Sequence, residues 1–351
     1  MASYNKLFEP VKIGAFELKT RSAMAPMTRS FSNDETGVPG PEVAEYYRKR
    51  AEDGIGLIIT EGVVISSRAK GNPGVPGLFT QEQIEGWKKV TEAVHKEGGT
   101  IAAQIWHVGR LSHPELIVGQ TPEAPSAIAA EGQVPRFRKP YAVPEELSKE
   151  DVQKVIGQYA QAAKNAIEAG FDGVEIHGAH GYLIDQFNSY QSNKRDDEYG
   201  GELAERLTFM KQVIRAVIDE IGADRTIIRF SAHKVDAPDY RWEDADEAMR
   251  TYTEAFKETG IQIIHPSIMD AEEHIAENQT LYDLARKYWD GPIIGVGSLD
   301  ADKAEAMLEK GVMDVAAFGR PLIANPDFLQ KVREGKELTP YEPKKHLLEL
   351  V

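Results

Sequence analysis

The chain contains no cysteine among its 351 residues. Disulfide bonds, thiolate nucleophiles and cysteine-ligated zinc or iron–sulfur centres are therefore excluded. No segment approaches the roughly 18 consecutive apolar residues that a membrane span requires, and the N-terminal segment MASYNKLFEPVKIG has no apolar core of the kind found in signal peptides. We therefore expect a cytoplasmic protein without a membrane partner.

The chain has fewer basic than acidic side chains. The 41 Lys and Arg residues face 56 Asp and Glu residues, which gives a formal net charge of −15. Nucleic-acid phosphates are bound by basic patches, so this balance disfavours nucleic acid as a partner. The chain also lacks the H-E-x-x-H metal motif and the G-x-G-x-x-G dinucleotide motif. We expect no metal site.

Eight short apolar runs alternate with amphipathic stretches, several of which end in glycine. Strands that alternate with helices form parallel βαβ units, and eight such units predict a closed (β/α)8 TIM barrel. A doubly wound open sheet is the alternative. We predict one α/β domain over residues 1–351, with strands at Ser22–Met27, Ile55–Gly62, Thr100–Trp106, Phe171–His177, Thr226–Ala232, Ile261–Ser267, Pro292–Gly297 and Met313–Gly319.

Two regions interrupt this alternation. The segment Phe8–Arg21 precedes the first strand and predicts a hairpin that turns at Gly14 and covers one end of the barrel. The segment Val108–Leu147 contains six prolines and follows the third strand. Because loops of this length inside a compact domain are usually functional, we predict a lid over the site.

Three polar rings follow the fourth strand, where a barrel places its chemistry. The stretch HGAHGYLIDQFN contains His177, His180 and Tyr182 within six residues. Two imidazoles can hydrogen-bond an electron-rich oxygen, and a phenol beside them can give up a proton. A metal site or a structural hydrogen-bond network is the alternative, although a zinc site needs a third ligand.

Glycine and arginine follow the last two strands, at Gly297, Ser298, Gly319 and Arg320. TIM barrels commonly bind phosphate at this point, because glycine lets backbone amides approach the anion and arginine supplies a fork of donors. The alternative is that both glycines serve ordinary turns. We favour a phosphate site.

Three further side chains lie at or near strand ends. Gln104 offers a donor and an acceptor, as a planar imide edge requires, or it can bond neighbouring backbone. Arg229 interrupts the apolar run TIIRFS and needs an anionic partner, which is either a bound ligand or a structural carboxylate. Trp106 belongs either to the core or to a pocket wall.

Taken in order along the chain, a set of short motifs resembles the Old Yellow Enzyme family of flavin-dependent ene reductases. The resemblance runs from residue 7 to about residue 330, and its pieces are LFEPVKIG, MAPMTR, ITEG, AQIWHVGR, HGAHGYLIDQF, SNKRDDEYGG and FGRPLIANPD, with the segment Ala69–Gly77.

This resemblance implies a tightly bound FMN over the barrel mouth, with its phosphate at the glycine–arginine set above. Gln104 would face the pyrimidine edge, and Arg229 would stabilise negative charge on the reduced ring. His177 and His180 would bind the acceptor oxygen, with His177 also beside the flavin, and Tyr182 would protonate the substrate carbon. The remaining implied positions are Pro26, Met27, Thr28 and Gly62 at the flavin ring, and Trp106 and Asn72 in the substrate pocket.

The implied function is that of an FMN-dependent NAD(P)H oxidoreductase. A hydride from NADH or NADPH would reach flavin N5 and then the β-carbon of an enone, enal, maleimide or nitroalkene. The alternatives are a flavin-binding sensor without turnover and a cofactor-free, phosphate-binding barrel lyase or isomerase. The sequence is compatible with a homo-oligomer, and it leaves open the physiological substrate, the stereoselectivity and the choice between NADH and NADPH.

Overall fold

The eight predicted strands form a closed parallel barrel in this computed structural model, which describes residues 4–135 and 137–351. Each strand pairs with its neighbours in the sequence, and the last barrel strand pairs with the first. The barrel prediction is confirmed, and the open sheet is wrong. The strands are β1 Ser22–Met24, β2 Leu57–Val64, β3 Ile101–Trp106, β4 Gly173–His177, β5 Thr226–Ser231, β6 Ile263–Ser267, β7 Ile294–Val296 and β8 Val315–Phe318.

Helices connect the strands, and their ends follow the local sequence. Thr80 forms a capping box with Gln83 at the start of the second helix, and left-handed Gly260 and Gly311 end two later helices. No helix in the described ranges is long and apolar enough to cross a membrane. The helices are α1 Pro41–Glu52, α2 Gln81–Lys96, α3 Lys149–Glu168, α4 Leu183–Asn188, α5 Leu203–Arg206, α6 Thr208–Ile221, α7 Ala245–Thr259, α8 Leu281–Tyr288, α9 Ala301–Lys310, α10 Arg320–Ala324, α11 Phe328–Glu334 and α12 Pro343–His346.

The predicted N-terminal hairpin closes the bottom of the barrel. Its strands, Val11–Ile13 and Phe16–Leu18, pair antiparallel around Gly14, which has a φ of +56°. A Cβ at Gly14 would lie 2.3 Å from the carbonyl oxygen of Asp224, so glycine is required at this approach. Phe16 packs with apolar side chains of the barrel interior, and its burial is worth roughly 3 kcal/mol. The hairpin leaves the C-terminal mouth open.

The loop over residues 108–147 borders that mouth. Two short strands, Glu123–Ala124 and Glu145–Glu146, pair in parallel within it. Arg195, whose side chain is 4% exposed, donates to the carbonyl oxygens of Pro125 and Leu147 at 3.0 and 2.6 Å, so it anchors this pair of strands. Residue 136 lies outside the described residues. These two hydrogen bonds attach the loop to the segment that follows α4.

Candidate active site

Four predicted side chains form one ring cluster at the ends of β3 and β4. Trp106 stacks on His177 with ring centroids 6.1 Å apart. Tyr182 meets both rings edge-on, with a centroid separation of 4.9 Å to each. His180 lies edge-on to His177 at 5.3 Å. The structure therefore brings together the imidazoles and the phenol that the sequence indicated, and Trp106 belongs to the same wall.

His180 has an unusual backbone conformation, with a φ of +63°. This left-handed region is uncommon for residues other than glycine, and it persists where the surroundings stabilise it. The Ser231 hydroxyl accepts from the His180 N–H at 2.8 Å, and the Val235 N–H donates to the His180 carbonyl oxygen at 3.1 Å. The segment after β5 thus holds the His180 ring at the mouth.

A buried ion pair supports the same turn. Lys234 Nζ lies 2.6 Å from Asp185 Oδ2, and both side chains are almost fully buried. The same carboxylate oxygen accepts from the Gly181 N–H at 2.7 Å. Because one carboxylate joins a lysine after β5 to the backbone before α4, the loop that carries Tyr182 is fixed on both sides.

Both site histidines are neutral at pH 7. Burial lowers the pKa of His177 and that of His180 well below the ordinary value, and the nearby charge of Arg229 adds to the effect. A neutral imidazole donates from one nitrogen and accepts at the other. Each ring therefore has a single N–H to offer, and its neighbours decide which nitrogen carries it.

Neighbouring groups set these tautomers. The Ala179 N–H donates to His177 Nδ1 at 3.4 Å, which places the His177 proton on Nε2. Ser267 Oγ accepts from Arg229 Nη2 at 3.1 Å and lies 2.9 Å from His180 Nε2. When the serine donates its own proton to that nitrogen, the His180 proton lies on Nδ1. Among the described residues, no group then accepts from the N–H of either ring.

The phenol of Tyr182 stays protonated at neutral pH. Burial raises its pKa, and the neighbouring Tyr141 and the carboxylate of Asp236 raise it further. Tyr141 belongs to the loop over residues 108–147, and burial raises its pKa to about 12, with a smaller contribution from Asp236. A neutral phenol beside two N–H donors can protonate a carbon next to a bound carbonyl group.

A cleft of about 300 Å³ adjoins the ring cluster at His180. It is lined by seven of the predicted cofactor residues, together with side chains that follow β5 and β6. The sequence-predicted residues in this cleft are Pro26, Met27, Arg229, Gly297, Ser298, Gly319 and Arg320.

The phosphate end of the cleft has the expected chemistry. Gly297 has a φ of +148°, and a Cβ there would lie 2.7 Å from the backbone nitrogen of Ala271. Ser298 is also left-handed, with a φ of +45°. Arg320 is exposed, and no carboxylate of the described residues forms an ion pair with it. The loop conformation requires glycine, and the guanidinium is available to an anion.

The inner end of the cleft fits a planar cofactor that gains negative charge. Arg229 Nε is buried and has no hydrogen-bond partner in the parts of the chain that the structure describes. Its Nη2 contacts Ser267, and Glu175 is the opposite charge that acts most strongly on the guanidinium, so a structural carboxylate supplies part of the required balance. The unpaired Nε and the free Arg320 together fit an FMN with its ring inside and its phosphate outside.

Four predicted residues lie outside both the ring cluster and the cleft. Gln104 is buried inside the barrel, where its Nε2 donates to Glu175 Oε1 at 2.8 Å. A Cβ at Gly62 would come within 2.4 Å of the Trp106 ring, so this glycine permits the packing of Trp106. Thr28 follows Met27 but is not among the residues that line the cleft, and Asn72 lies in the loop after β2. Asn72 Oδ1 is buried without a partner among the described residues. The roles of Thr28, Gly62, Gln104 and Asn72 toward ligands stay predictions.

The sequence reasoning missed the residues that support the rings. Ser231 and Ser267 are the last residues of β5 and β6, and only this position at a strand end could have indicated them from the sequence. Glu175 interrupts the apolar run FDGVEIHG, as Arg229 interrupts its own strand, and this signal could have been used. Within residues 4–135 and 137–351, no group of three or more His, Cys, Asp or Glu side chains is placed to hold a metal ion.

The fold is a closed barrel with a glycine–arginine cleft after β7 and β8 that also contains a buried arginine, and two neutral imidazoles lie beside a phenol at its mouth. This arrangement is the one expected of a flavin-dependent oxidoreductase. The chain belongs to the NADH:flavin oxidoreductase / NADH oxidase family, whose pattern matches residues 6–339. The resemblance to Old Yellow Enzyme is thereby confirmed.

Several known proteins are similar to this chain over nearly its whole length. The flavin oxidoreductase hxnT of Emericella nidulans is 39% identical, over 96% of this chain and 92% of that protein. The 12-oxophytodienoate reductase 1 of Oryza sativa subsp. japonica is 38% identical, over 96% of this chain and 88% of that protein. Morphinone reductase in complex with tetrahydroNAD superposes with a TM-score of 0.88 at 36% identity, over 97% of this chain and 93% of that chain.

These findings give the class of activity. The chain is an FMN-dependent NAD(P)H oxidoreductase that reduces C=C bonds. They favour this activity over a flavin-binding sensor and over a cofactor-free lyase or isomerase, because the family is one of flavin oxidoreductases.

Proposed function

We propose that the chain reduces the activated C=C bond of enones, enals, maleimides and nitroalkenes, with His177 and His180 binding the carbonyl or nitro oxygen and Tyr182 supplying the proton. The observation that carries this proposal is the ring cluster, in which the neutral imidazole of His177 lies 5.3 Å from the ring of His180 and 4.9 Å from the protonated phenol of Tyr182, measured between centroids. Such donors suit an oxygen that becomes negative during the reaction.

The histidines act through charge stabilisation. Hydride arrival at the β-carbon moves negative charge onto the activating oxygen, and fixed N–H donors stabilise that charge more than they stabilise the neutral ground state. Each donor contributes roughly 2–4 kcal/mol by comparison with oxyanion-hole deletions. Trp106 stacks on the ring of His177 and contacts the ring of Tyr182 edge-on, so it keeps these two rings in place.

FMN supplies the hydride chemistry when it is bound. Its phosphate would be held by the backbone at Gly297, Ser298 and Gly319 and by the guanidinium of Arg320. The ring would be contacted by Pro26, Met27, Thr28, Gly62, Gln104, His177 and Arg229. The unpartnered Nε of Arg229 and the free Arg320 support this placement.

We extend the proposal to the whole chain. Residues 1–351 act as one FMN-binding domain on small molecules, with no nucleic-acid or membrane partner, and they act in the cytoplasm, where the nicotinamide reductant is available. The net charge of −15 supports the exclusion of nucleic acid. Cell fractionation with an antibody against the native chain tests the location.

An absorbance experiment tests the proposed reaction. Purified protein, reconstituted with FMN where necessary, should be yellow, lose its visible absorbance with NADPH under anaerobic conditions, and regain it with 2-cyclohexenone. Protein that is bleached by NADPH but is reoxidised by none of the four acceptor classes would contradict the substrate proposal and favour a sensor. Protein that binds no FMN after reconstitution would contradict the assignment of FMN as the cofactor.

A further inference from the structure

A layer of four polar side chains fills the barrel interior below the mouth. Gln104, Glu175, Arg229 and His265 come from the adjacent strands β3, β4, β5 and β6, and none is more than 5% exposed. Gln104 is the register partner of Glu175, and His265 is the register partner of Arg229. Buried polar groups are costly when they lack partners, so the contacts within this layer bear on what it does. Arg229 Nε and His265 Nε2 have no hydrogen-bond partner among the described residues.

Glu175 is the centre of the layer. Its Oε1 accepts from Gln104 Nε2 at 2.8 Å, and its Oε2 accepts from His265 Nδ1 at 2.5 Å. Burial alone would raise the pKa of Glu175, but His265, Arg229 and Gln104 outweigh burial and lower it. The carboxylate is therefore ionised, and an ionised carboxylate only accepts hydrogen bonds.

The ionised carboxylate of Glu175 determines which way the side-chain amide of Gln104 is turned. The two ends of an amide have nearly the same shape, so packing alone does not choose between them. Turning the Gln104 amide over would place its carbonyl oxygen against an anionic oxygen, which repels it. The NH2 end therefore faces Glu175, and the carbonyl oxygen Oε1 faces away from it. Across the described residues, no group donates to that oxygen.

We propose that Glu175, held by His265, is a positioning residue for the flavin: it orients Gln104 so that Oε1 accepts from the imide N–H of the flavin pyrimidine ring, and it supplies the counter-charge of Arg229 beneath that ring. This inference rests on the proposed placement of Gln104 against the pyrimidine edge. The contacts of Glu175 suit this role, because the carboxylate holds the Gln104 amide through one oxygen and is itself held by His265 through the other.

Two substitutions separate the two parts of this role. Glu175→Met removes both the acceptor and the charge, and Glu175→Gln keeps an acceptor oxygen of similar shape but removes the charge. We expect Glu175→Met to weaken FMN binding about tenfold, equivalent to ~1.4 kcal/mol, and Glu175→Gln to weaken it less. The probe is FMN itself, titrated into apoprotein and followed by its fluorescence.

The midpoint potential of bound FMN reports the counter-charge. With Glu175 neutralised, Arg229 is uncompensated and favours the negative reduced ring, so both variants should shift the potential upward. Tenfold tighter relative binding of reduced FMN corresponds to ~30 mV for a two-electron couple. A purely structural carboxylate would lower the melting temperature and leave the potential of the folded protein unchanged, and an unchanged potential in Glu175→Gln would overturn the inference.

Coupling to Gln104 tests the orienting role. In a Gln104→Leu background there is no amide to orient, so Glu175→Met should weaken FMN binding no further. Additive losses in the double variant would overturn the inference even though FMN still binds and alkenes are still reduced. The proposed function fails separately, through absence of FMN or absence of alkene reduction in the unsubstituted protein. If Glu175→Met does not fold, the potential of Glu175→Gln decides.

Discussion

Replacing Tyr182 with phenylalanine isolates the proton transfer. The ring contacts with Trp106 and His177, at 4.9 Å each, depend on the aromatic body and remain in the variant. In the described parts of the chain the Tyr182 hydroxyl makes no hydrogen bond, so its removal leaves no protein group unpartnered. We therefore expect the unfolding free energy to change by less than about 1 kcal/mol.

The expected rate effect follows from general acid catalysis. Such catalysis contributes about 10²–10⁴-fold, which corresponds to roughly 3–5 kcal/mol of activation free energy. Burial, Tyr141 and Asp236 all raise the pKa of Tyr182, so its phenol is a weaker acid than a phenol in water. The effect should therefore fall near the lower end, at about 10²-fold.

Anaerobic stopped-flow absorbance separates the two half-reactions. Flavin reduction by NADPH should stay near the unsubstituted rate, because no protein proton is needed there. Reoxidation by 2-cyclohexenone should slow by about 10²-fold. A nitroalkene should still reoxidise the flavin quickly, because its nitronate product is stable without protonation at carbon.

Tyr141→Phe is the matched control for this experiment. Tyr141 is also a partly buried tyrosine, and burial and Asp236 raise its pKa to about 12. Its loss should leave enone reoxidation within a few-fold of the unsubstituted rate. If Tyr182→Phe reoxidised with the enone at the unsubstituted rate, the assigned role would be wrong, and water would be the proton source.

Four further predictions test the remaining parts of the site. Arg320→Ala should weaken FMN retention in equilibrium dialysis, because it removes a charge-assisted donor fork; unchanged affinity would place the phosphate elsewhere. Double replacement of His177 and His180 by alanine should raise the acceptor dissociation constant more than it slows flavin reduction, whereas zinc-restored activity after chelation would indicate a metal site. Because burial lowers the pKa of both histidines, the folded state binds fewer protons than the unfolded state below about pH 6.5, so the unfolding free energy should decrease as the pH is lowered through that range; urea melts between pH 7 and pH 5 should show a smaller decrease for the double variant. Asp236→Asn should cost about 3–5 kcal/mol by unpairing Arg110 at 2.7 Å, measured by urea unfolding, and should make the loop over residues 108–147 more sensitive to protease.

The barrel could be predicted because buried parallel strands are continuous apolar runs. Strand ends were less predictable, since they depend on single backbone groups. The first run extends to Met27, but β1 ends at Met24, shortly before Pro26, which has no N–H to donate. The seventh run ends at Gly297, but its strand ends at Val296, because Gly297 has a φ of +148°.

The ring cluster could be predicted because its members are close in sequence or lie at neighbouring strand ends. The supporting contacts could not, because they join distant positions. Glu175 bonds to Gln104 and His265, which are 71 and 90 residues away. Local patterns indicate that a charged strand residue needs a partner, but only the closed barrel brings that partner into reach. The same limit applied to Arg229, for which ligand and structural carboxylate both remained open.

Arg229 links the two halves of the site. Its Nη2 donates to Ser267 Oγ at 3.1 Å, and that hydroxyl lies 2.9 Å from His180 Nε2, so this arginine of the cleft also influences the tautomer of the histidine that we propose binds the acceptor. Its charge helps to keep His177 and His180 neutral. In the proposed site, one buried guanidinium would therefore favour negative charge at the reduced ring and also keep the imidazoles neutral, with one N–H each for a substrate oxygen. The apolar floor and the hairpin below it exclude water from the other end of the barrel, which strengthens both effects by keeping the local dielectric low.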